Sequence, residues 1–173
     1  MSRLYFCLVS SEYCNFLREY DPCIPYTMDS KSSRPFVGIL LTIHGMSYYA
    51  PLSSPKPKHR NMSNQVDLLK INGGEYGVIN LNNMIPIHNN SISLINLGTL
   101  STDSQEDVQY KELLRNQLSW CNANKDRILN KAQKLYEMIE NGNARQNLIE
   151  RCCKFIEDEE LLKEYCTKKG WTI

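Results

Sequence analysis

The sequence predicts an α+β fold: a compact, strongly bent antiparallel β-sheet or half-open barrel, with one inserted helix and a C-terminal helical group. Short apolar runs bounded by turn residues fill the first hundred residues, and after Gly98 the apolar residues recur with the 3.6-residue period of helices. The 173 residues, 42% of them hydrophobic, are enough for one domain with a sizeable core. We expect a single domain over residues 1–173, β-rich over about 1–100 and helical over about 104–169.

Five apolar runs predict strands, and two turns join four of them into hairpins. The runs are residues 3–9, 36–43, 47–52, 66–71 and 78–81. His44-Gly45 separates the second run from the third, and Asn72-Gly73-Gly74 separates the fourth from the fifth. Both turns contain residues that tolerate positive φ, as tight hairpins require.

Helices are predicted once before the second strand and several times after the sheet. Aromatic and aliphatic residues from Tyr13 to Tyr20 recur at i, i+3, i+4 and i+7, and Asp21-Pro22 ends this pattern. Two longer helical stripes follow Gly98, and shorter patterns cover residues 148–156 and 159–168. The acidic run at 157–160 indicates a solvated helix start, which the helix dipole favours.

Seven cysteines predict reduced thiols, because their number is odd and they form no CxxC pair and no zinc spacing with histidine. The adjacent Cys152 and Cys153 leave a redox or metal site open as an alternative. The apolar run at residues 4–9 is too short for a signal peptide, and no run approaches the roughly 20 residues of a membrane helix. We expect a cytoplasmic protein that uses no cofactor, metal ion or membrane.

Positive charge is concentrated in one segment. The net charge is only +1, but no acidic residue lies between Asp29 and Asp67. Five basic residues do: Lys31, Arg34, Lys56, Lys58 and Arg60. Because phosphates bind by Coulomb attraction and counterion release, this segment indicates a polyanion site, with a solvated basic loop as the alternative.

A loop within this segment carries the strongest candidate chemistry. Ser53 and Ser54 follow a predicted strand, prolines stiffen the backbone, and Lys56 comes two residues later. Hydroxyl donors beside a fixed positive charge can hold a phosphate oxygen, although a structural proline-rich turn is the alternative. His59 titrates near neutral pH and is a candidate general acid or base, with an ordinary surface histidine as the alternative. Tyr13 and Tyr26 are candidates for stacking on bases, although most aromatic residues at such spacing belong to the core.

Three segments in order resemble a known family: Phe36-Val37-Gly38-Ile39, YYAPLSSPK at residues 48–56, and GVINLNNMIPI at residues 77–87. They are similar to the toxins of type III toxin–antitoxin systems, the ToxN/AbiQ/CptN group of abortive-infection ribonucleases. The resemblance runs from residue 4 to about 124. It implies a barrel of the Kid/MazF kind enlarged by helices.

The resemblance also implies site residues. The family's active-site loop falls on Ser53, Ser54 and Lys56, with Ser53 standing where some relatives have threonine. A tyrosine of the first helix matches Tyr13, and a basic residue before the second strand matches Arg34. Residues 25–33 differ in length from the relatives. The expected RNA contacts are Tyr26, Lys31, Lys58 and Arg60.

The implied activity is cleavage of single-stranded RNA to 2′,3′-cyclic phosphate and 5′-hydroxyl ends. Residues 30–66 contain no carboxylate to hold Mg²⁺, so we expect the substrate's 2′-hydroxyl to be the nucleophile. The implied inhibitor is a tandem-repeat RNA that the toxin processes into pseudoknots and binds in a cyclic complex. Cellular mRNA is the expected substrate, and the expected role is phage abortive infection or plasmid maintenance. The alternatives are a non-catalytic RNA-binding regulator, a MazF-like ribonuclease with a protein antitoxin, and a gyrase-directed toxin.

Overall fold

The structure is a computed structural model, and it describes residues 2–27 and 34–173. In these ranges seven strands form one antiparallel sheet with the order β4-β5-β3-β2-β1-β7, and β6 also pairs with β3. The strands are β1 (Tyr5–Val9), β2 (Phe36–Ile43), β3 (Met46–Ser53), β4 (Leu68–Lys70), β5 (Val78–Asn80), β6 (Ile85–Ile87) and β7 (Ile92–Leu94). The α+β class is confirmed, and the sheet is open.

Helices lie between the strands and after the sheet. They are α1 (Ser11–Arg18), α2 (Pro57–Asn61), α3 (Gln105–Ala123), α4 (Lys125–Glu140), α5 (Gln146–Arg151) and α6 (Phe155–Lys169). The prediction of one helix over residues 148–156 was wrong, because extended backbone at Cys152 separates α5 from α6. The short helix α2 was not predicted.

β3 organises the sheet because three strands pair with it. β2 pairs with one edge of β3. On the other edge of β3, β6 pairs with Ser47–Tyr49 and β5 pairs with Leu52 and Ser53. The register of β2 against β3 shifts between Val37 and Leu41, and such irregularities bend a sheet. A Cβ on Gly38 would lie 2.2 Å from the ring of Tyr49, so only glycine fits at this bend.

The two predicted hairpin turns are confirmed. His44 and Gly45 have φ of 52° and 80° between β2 and β3. Asn72 and Gly73 have φ of 49° and 66° between β4 and β5.

The acidic start of α6 is partly buried, which overturns the expectation of a solvated run. Glu159 is 3% exposed, and its Oε1 accepts hydrogen bonds from the hydroxyls of Tyr48 (2.6 Å) and Tyr136 (2.7 Å). Nδ1 of His44 lies 3.0 Å from its Oε2. These partners replace the water that a buried carboxylate loses, and they tie α6 to β3 and α4.

All seven cysteines are free thiols, and all but Cys23 are buried. Within the described ranges, none of the helices has both the length and the apolar character that spanning a bilayer requires.

Candidate active site

The proline-rich loop connects β3 to α2. Ser53 closes β3 and is half-buried, whereas Ser54 and Lys56 are exposed. Lys56 has extended backbone and stands immediately before α2. We call residues 53–56 the active-site loop. Its position at the end of β3 agrees with the sequence prediction.

His59 fixes the backbone of Lys56. The amide of Lys56 donates to Nδ1 of His59 (3.1 Å), and the amide of His59 donates to the carbonyl of Lys56 (2.9 Å). His59 is 3% exposed, and burial together with the positive charges of Lys58 and Lys56 lowers the pKa of its imidazole. The ring is therefore neutral near pH 7 and carries its proton on Nε2. His59 is therefore not the ordinary surface histidine that the sequence left open. It is buried, and its hydrogen bonds hold the backbone of Lys56 in position.

Two glycines lie directly beneath the loop and α2. A Cβ on Gly77 (φ 93°) would lie 2.0 Å from the carbonyl oxygen of Ser53. A Cβ on Gly74 (φ 95°) would lie 2.5 Å from the carbonyl oxygen of His59. Since real Cβ atoms do not approach so closely, these positions need glycine both for space and for positive φ. From the sequence, Gly74 was identified only as a turn residue, and Gly77 only as the first residue of the third family-like segment.

Asn80 orients the hydroxyl of Ser53. Its Nδ2 donates to Ser53 Oγ at 2.8 Å and approaches the carbonyl oxygen of Pro51 at 3.4 Å. Because Oγ accepts this bond, the hydroxyl hydrogen of Ser53 remains available for another acceptor. The sequence analysis missed Asn80. Its only signal was its place in the GVINL segment, one residue before the end of the predicted fifth strand.

Unpaired positive charge surrounds the active-site loop. Lys56 and Arg60 line one cavity of about 480 Å³, together with Asn61 and Glu75. Lys56, Lys58 and Arg60 are exposed, and none of them forms an ion pair with a described residue. The field of these cations is therefore open to a phosphate.

Arg34 approaches the same end of the sheet but lines a different cavity. The amide of Leu52 donates to the carbonyl of Pro35 (2.8 Å), which extends the β2–β3 pairing by one residue and leaves Arg34 next to the paired segment. The cavity of about 380 Å³ is rich in hydroxyl groups. The hydroxyl of Ser91, which lines it, has no hydrogen-bond partner among the described residues.

Tyr13 and Tyr26 do not lie in this loop. Tyr13 is fully buried, and its hydroxyl donates to the carbonyl of Pro86 (2.6 Å). Tyr13 therefore belongs to the core, where burial and the negative charge of Asp158 raise the pKa of its hydroxyl. Tyr26 is 65% exposed, and the guanidinium of Arg18 lies 4.6 Å from its ring centre. Lys31 lies outside the described residues.

Comparison with known proteins identifies the family. The family model for "Toxin ToxN, type III toxin-antitoxin system" matches residues 5–163. The endoribonuclease ToxN of Bacillus thuringiensis subsp. kurstaki is 33% identical, covering 91% of this chain and 81% of that protein. The endoribonuclease ToxN of Pectobacterium atrosepticum is also 33% identical, covering 92% of both.

Solved structures agree. One, from a bacterial antiviral system regulated by a processed non-coding RNA, is 33% identical with a TM-score of 0.77, covering 92% of this chain and 98% of that one. Another, from a type III system in which a non-coding RNA pseudoknot inhibits the toxin, is 30% identical with a TM-score of 0.79, covering 95% and 98%. AbiQ, a lactococcal anti-phage endoribonuclease, shares the fold at 20% identity with a TM-score of 0.80, covering 96% and 99%. The chain therefore belongs to the family of ToxN toxins of type III toxin–antitoxin systems, as the three sequence segments indicated.

Proposed function

We propose that this endoribonuclease cuts single-stranded RNA at the active-site loop without a metal ion, leaving a 2′,3′-cyclic phosphate and a 5′-hydroxyl. One observation carries the proposal. Lys56 and Arg60 line one cavity without an ion pair to any described residue, and Ser53, at the start of the same loop, has a hydroxyl hydrogen that is free to donate. This combination suits a phosphate that gains negative charge during reaction.

The reaction needs only groups of the substrate, water and hydrogen-bond donors from the protein. The 2′-oxygen attacks the adjacent phosphorus as the bond to the 5′-oxygen breaks; the proton of the 2′-hydroxyl passes to water, and the departing 5′-oxygen takes a proton from water. Charge accumulates on the non-bridging oxygens, where Lys56 supplies positive charge and Ser53 and Ser54 supply hydrogen bonds. Each preorganised donor of this kind contributes about 10² to 10³ in rate.

The rest of the basic surface holds the RNA strand. Lys58 and Arg60 continue the positive field past the active-site loop and contact phosphates. Arg34, Lys31 and Tyr26 extend the contact surface. One face of the Tyr26 ring already lies against Arg18, and the exposed side chain can stack on an unpaired base.

The inhibitor in this proposal is RNA. The toxin processes a tandem-repeat transcript into folded pseudoknot units, and each unit stays bound over the active-site loop. Alternating protein and RNA units close into a ring. Release of the toxin in the cytoplasm exposes cellular mRNA to cleavage, which serves phage abortive infection or plasmid maintenance. The support is the match to relatives whose structures come from RNA-regulated systems.

A substrate with one 2′-deoxy sugar before the scissile phosphate tests the chemistry. With RNA-free protein in excess and EDTA present, this substrate should bind and stay intact, while its all-ribose twin is cut to a cyclic phosphate end. Lys56→Ala should bind the all-ribose RNA but cut it at least about 10²-fold more slowly. Cleavage of the deoxy substrate, or a requirement for Mg²⁺, would refute the mechanism.

A further inference from the structure

A second cluster of reactive side chains lies away from the active-site loop, where the segment after α1 meets the start of α6. It contains Asp21, Cys153 and Asp158, whose side chains are 1%, 1% and 0% exposed. One ligand atom from each residue lies within 4.8 Å of the other two. Two carboxylates and a thiol thus share one buried site.

The hydrogen bonds around the cluster leave it incomplete. The two oxygens of Asp21 accept from the amides of Cys23 (2.9 Å) and Lys154 (2.7 Å), and each keeps a second lone pair. Both oxygens of Asp158 are buried, and no described residue donates a hydrogen bond to them, while the neighbouring Asp21 carboxyl is close enough to share a proton with Asp158. Such groups are uncommon because a buried carboxylate without partners loses its hydration and gains nothing in return.

Water, a shared proton or a metal cation could supply the missing partner. A proton shared between Asp21 and Asp158 would satisfy one oxygen of Asp158 and leave the other without a donor. It would leave the thiol of Cys153 with its hydrogen bond of 3.3 Å to the carbonyl of Cys23. A divalent cation would engage all three side chains.

The surroundings favour a cation. A cavity of about 340 Å³ reaches Asp21 and Asp158 from the surface. Its wall also carries Glu157, Glu160 and Glu164 beside Lys154. Glu160 and Glu164 pair with Lys163 and Lys168, which leaves Glu157 as the wall glutamate without an ion pair to a described residue. A negatively lined cavity concentrates cations at its mouth.

We propose that Asp21, Asp158 and Cys153 bind one divalent cation of the zinc class, with water from this cavity in the fourth position. Zinc lies about 2.0–2.3 Å from carboxylate and thiolate ligands, so small side-chain rotations close a cluster of this size on one ion. Cys153 releases its proton to solvent on binding. The ion fastens α6 to the end of α1 and takes no part in RNA cleavage.

Cobalt and zinc test the site in protein first stripped of metal with EDTA. One equivalent of Co²⁺ should produce a thiolate-to-cobalt charge-transfer absorption band, and Zn²⁺ should raise the Tm. Cys153→Ser should lose the band, whereas Cys121→Ser, a matched change of a buried thiol in α3, should keep it. Asp158→Asn should bind Zn²⁺ at least about 10-fold more weakly, since even outer partners of metal ligands matter that much.

The comparison uses the zinc-dependent rise in Tm, because Asp158→Asn also removes a buried charge and changes the Tm of the metal-free protein. Absence of stoichiometric Co²⁺ binding, or an unchanged band in Cys153→Ser, would overturn the site. A metal-indifferent protein that Asp158→Asn stabilises would show that the two carboxylates share a proton instead.

Discussion

Gly77→Ala is expected to damage cleavage far more than folding. The added Cβ would lie 2.0 Å from the carbonyl oxygen of Ser53, whereas contacts below 3.0 Å essentially never occur. Backbone must therefore shift by about 1 Å, and the shift falls on the residue that begins the active-site loop. A misplacement of this size typically costs about 10² in rate.

Gly73→Ala is the matched control. Gly73 also has positive φ, so alanine there meets a comparable conformational cost of about 1–2 kcal/mol. No atom lies within 4 Å of its added Cβ, so the active-site loop is undisturbed. Both variants should lose stability, and only Gly77→Ala should also lose about 10² in cleavage rate.

Single-turnover cleavage with protein in excess gives the rate at the chemical step, and thermal unfolding of the same samples gives the Tm. Measurements are made well below the Tm of either variant. Equal rates for Gly77→Ala and Gly73→Ala would refute the conclusion that Gly77 supports the active-site loop.

Three further predictions concern RNA binding, the core and pH. Lys58→Ala and Arg60→Ala should each lower the slope of log affinity against log salt by about 0.7 for single-stranded RNA; an unchanged slope means that neither touches phosphate. Tyr13→Phe should lower the free energy of unfolding by about 1–3 kcal/mol, because the carbonyl of Pro86 loses its donor. Cleavage by this folded variant should be unchanged. If cleavage is lost, Tyr13 takes part in the reaction. The pKa of His59 is lowered in the folded protein, whereas in the unfolded chain it has its ordinary value of about 6.5. As the pH drops below about 7, the unfolded chain therefore binds more protons than the folded protein, and the free energy of unfolding falls. In denaturant titrations between pH 7 and 5, the free energy of unfolding of His59→Asn should depend less on pH than that of the unchanged protein. An equal pH dependence of the two proteins would contradict this prediction.

The position of residues 53–56 at the end of a strand could be predicted because its signal is local. Two serines, alternating prolines and a lysine stand together in the sequence, and their exposure at a strand end needed no knowledge of distant contacts. The hairpin at His44 was predictable for the same reason. The strands β6 and β7 were missed because each has only three residues and, unlike the equally short β4 and β5, no glycine-containing turn beside it marks a hairpin.

The supports of the loop could not be predicted, because they depend on strand register. Asn80 meets Ser53 only once β5 pairs with the end of β3, 27 residues away in the chain. Gly77 reads locally as a turn residue, and its contact with the loop appears only in the folded sheet. The burial of Asp158 and Glu159 was missed for a related reason, since four consecutive acids read as solvated until tertiary partners are known.

Under the proposed function, these contacts explain how a chain of net charge +1 can present a polyanion site. His59, Gly74 and Gly77 fix the backbone around Lys56, so this backbone does not depend on an acidic partner of the lysine for its position. The charge of Lys56 therefore stays unneutralised until RNA arrives. Substrate and inhibitory RNA would compete for these same cations, and salt would weaken both. Under the proposed function, the inhibitor prevails because a prefolded RNA loses less conformational entropy on binding than a single strand does.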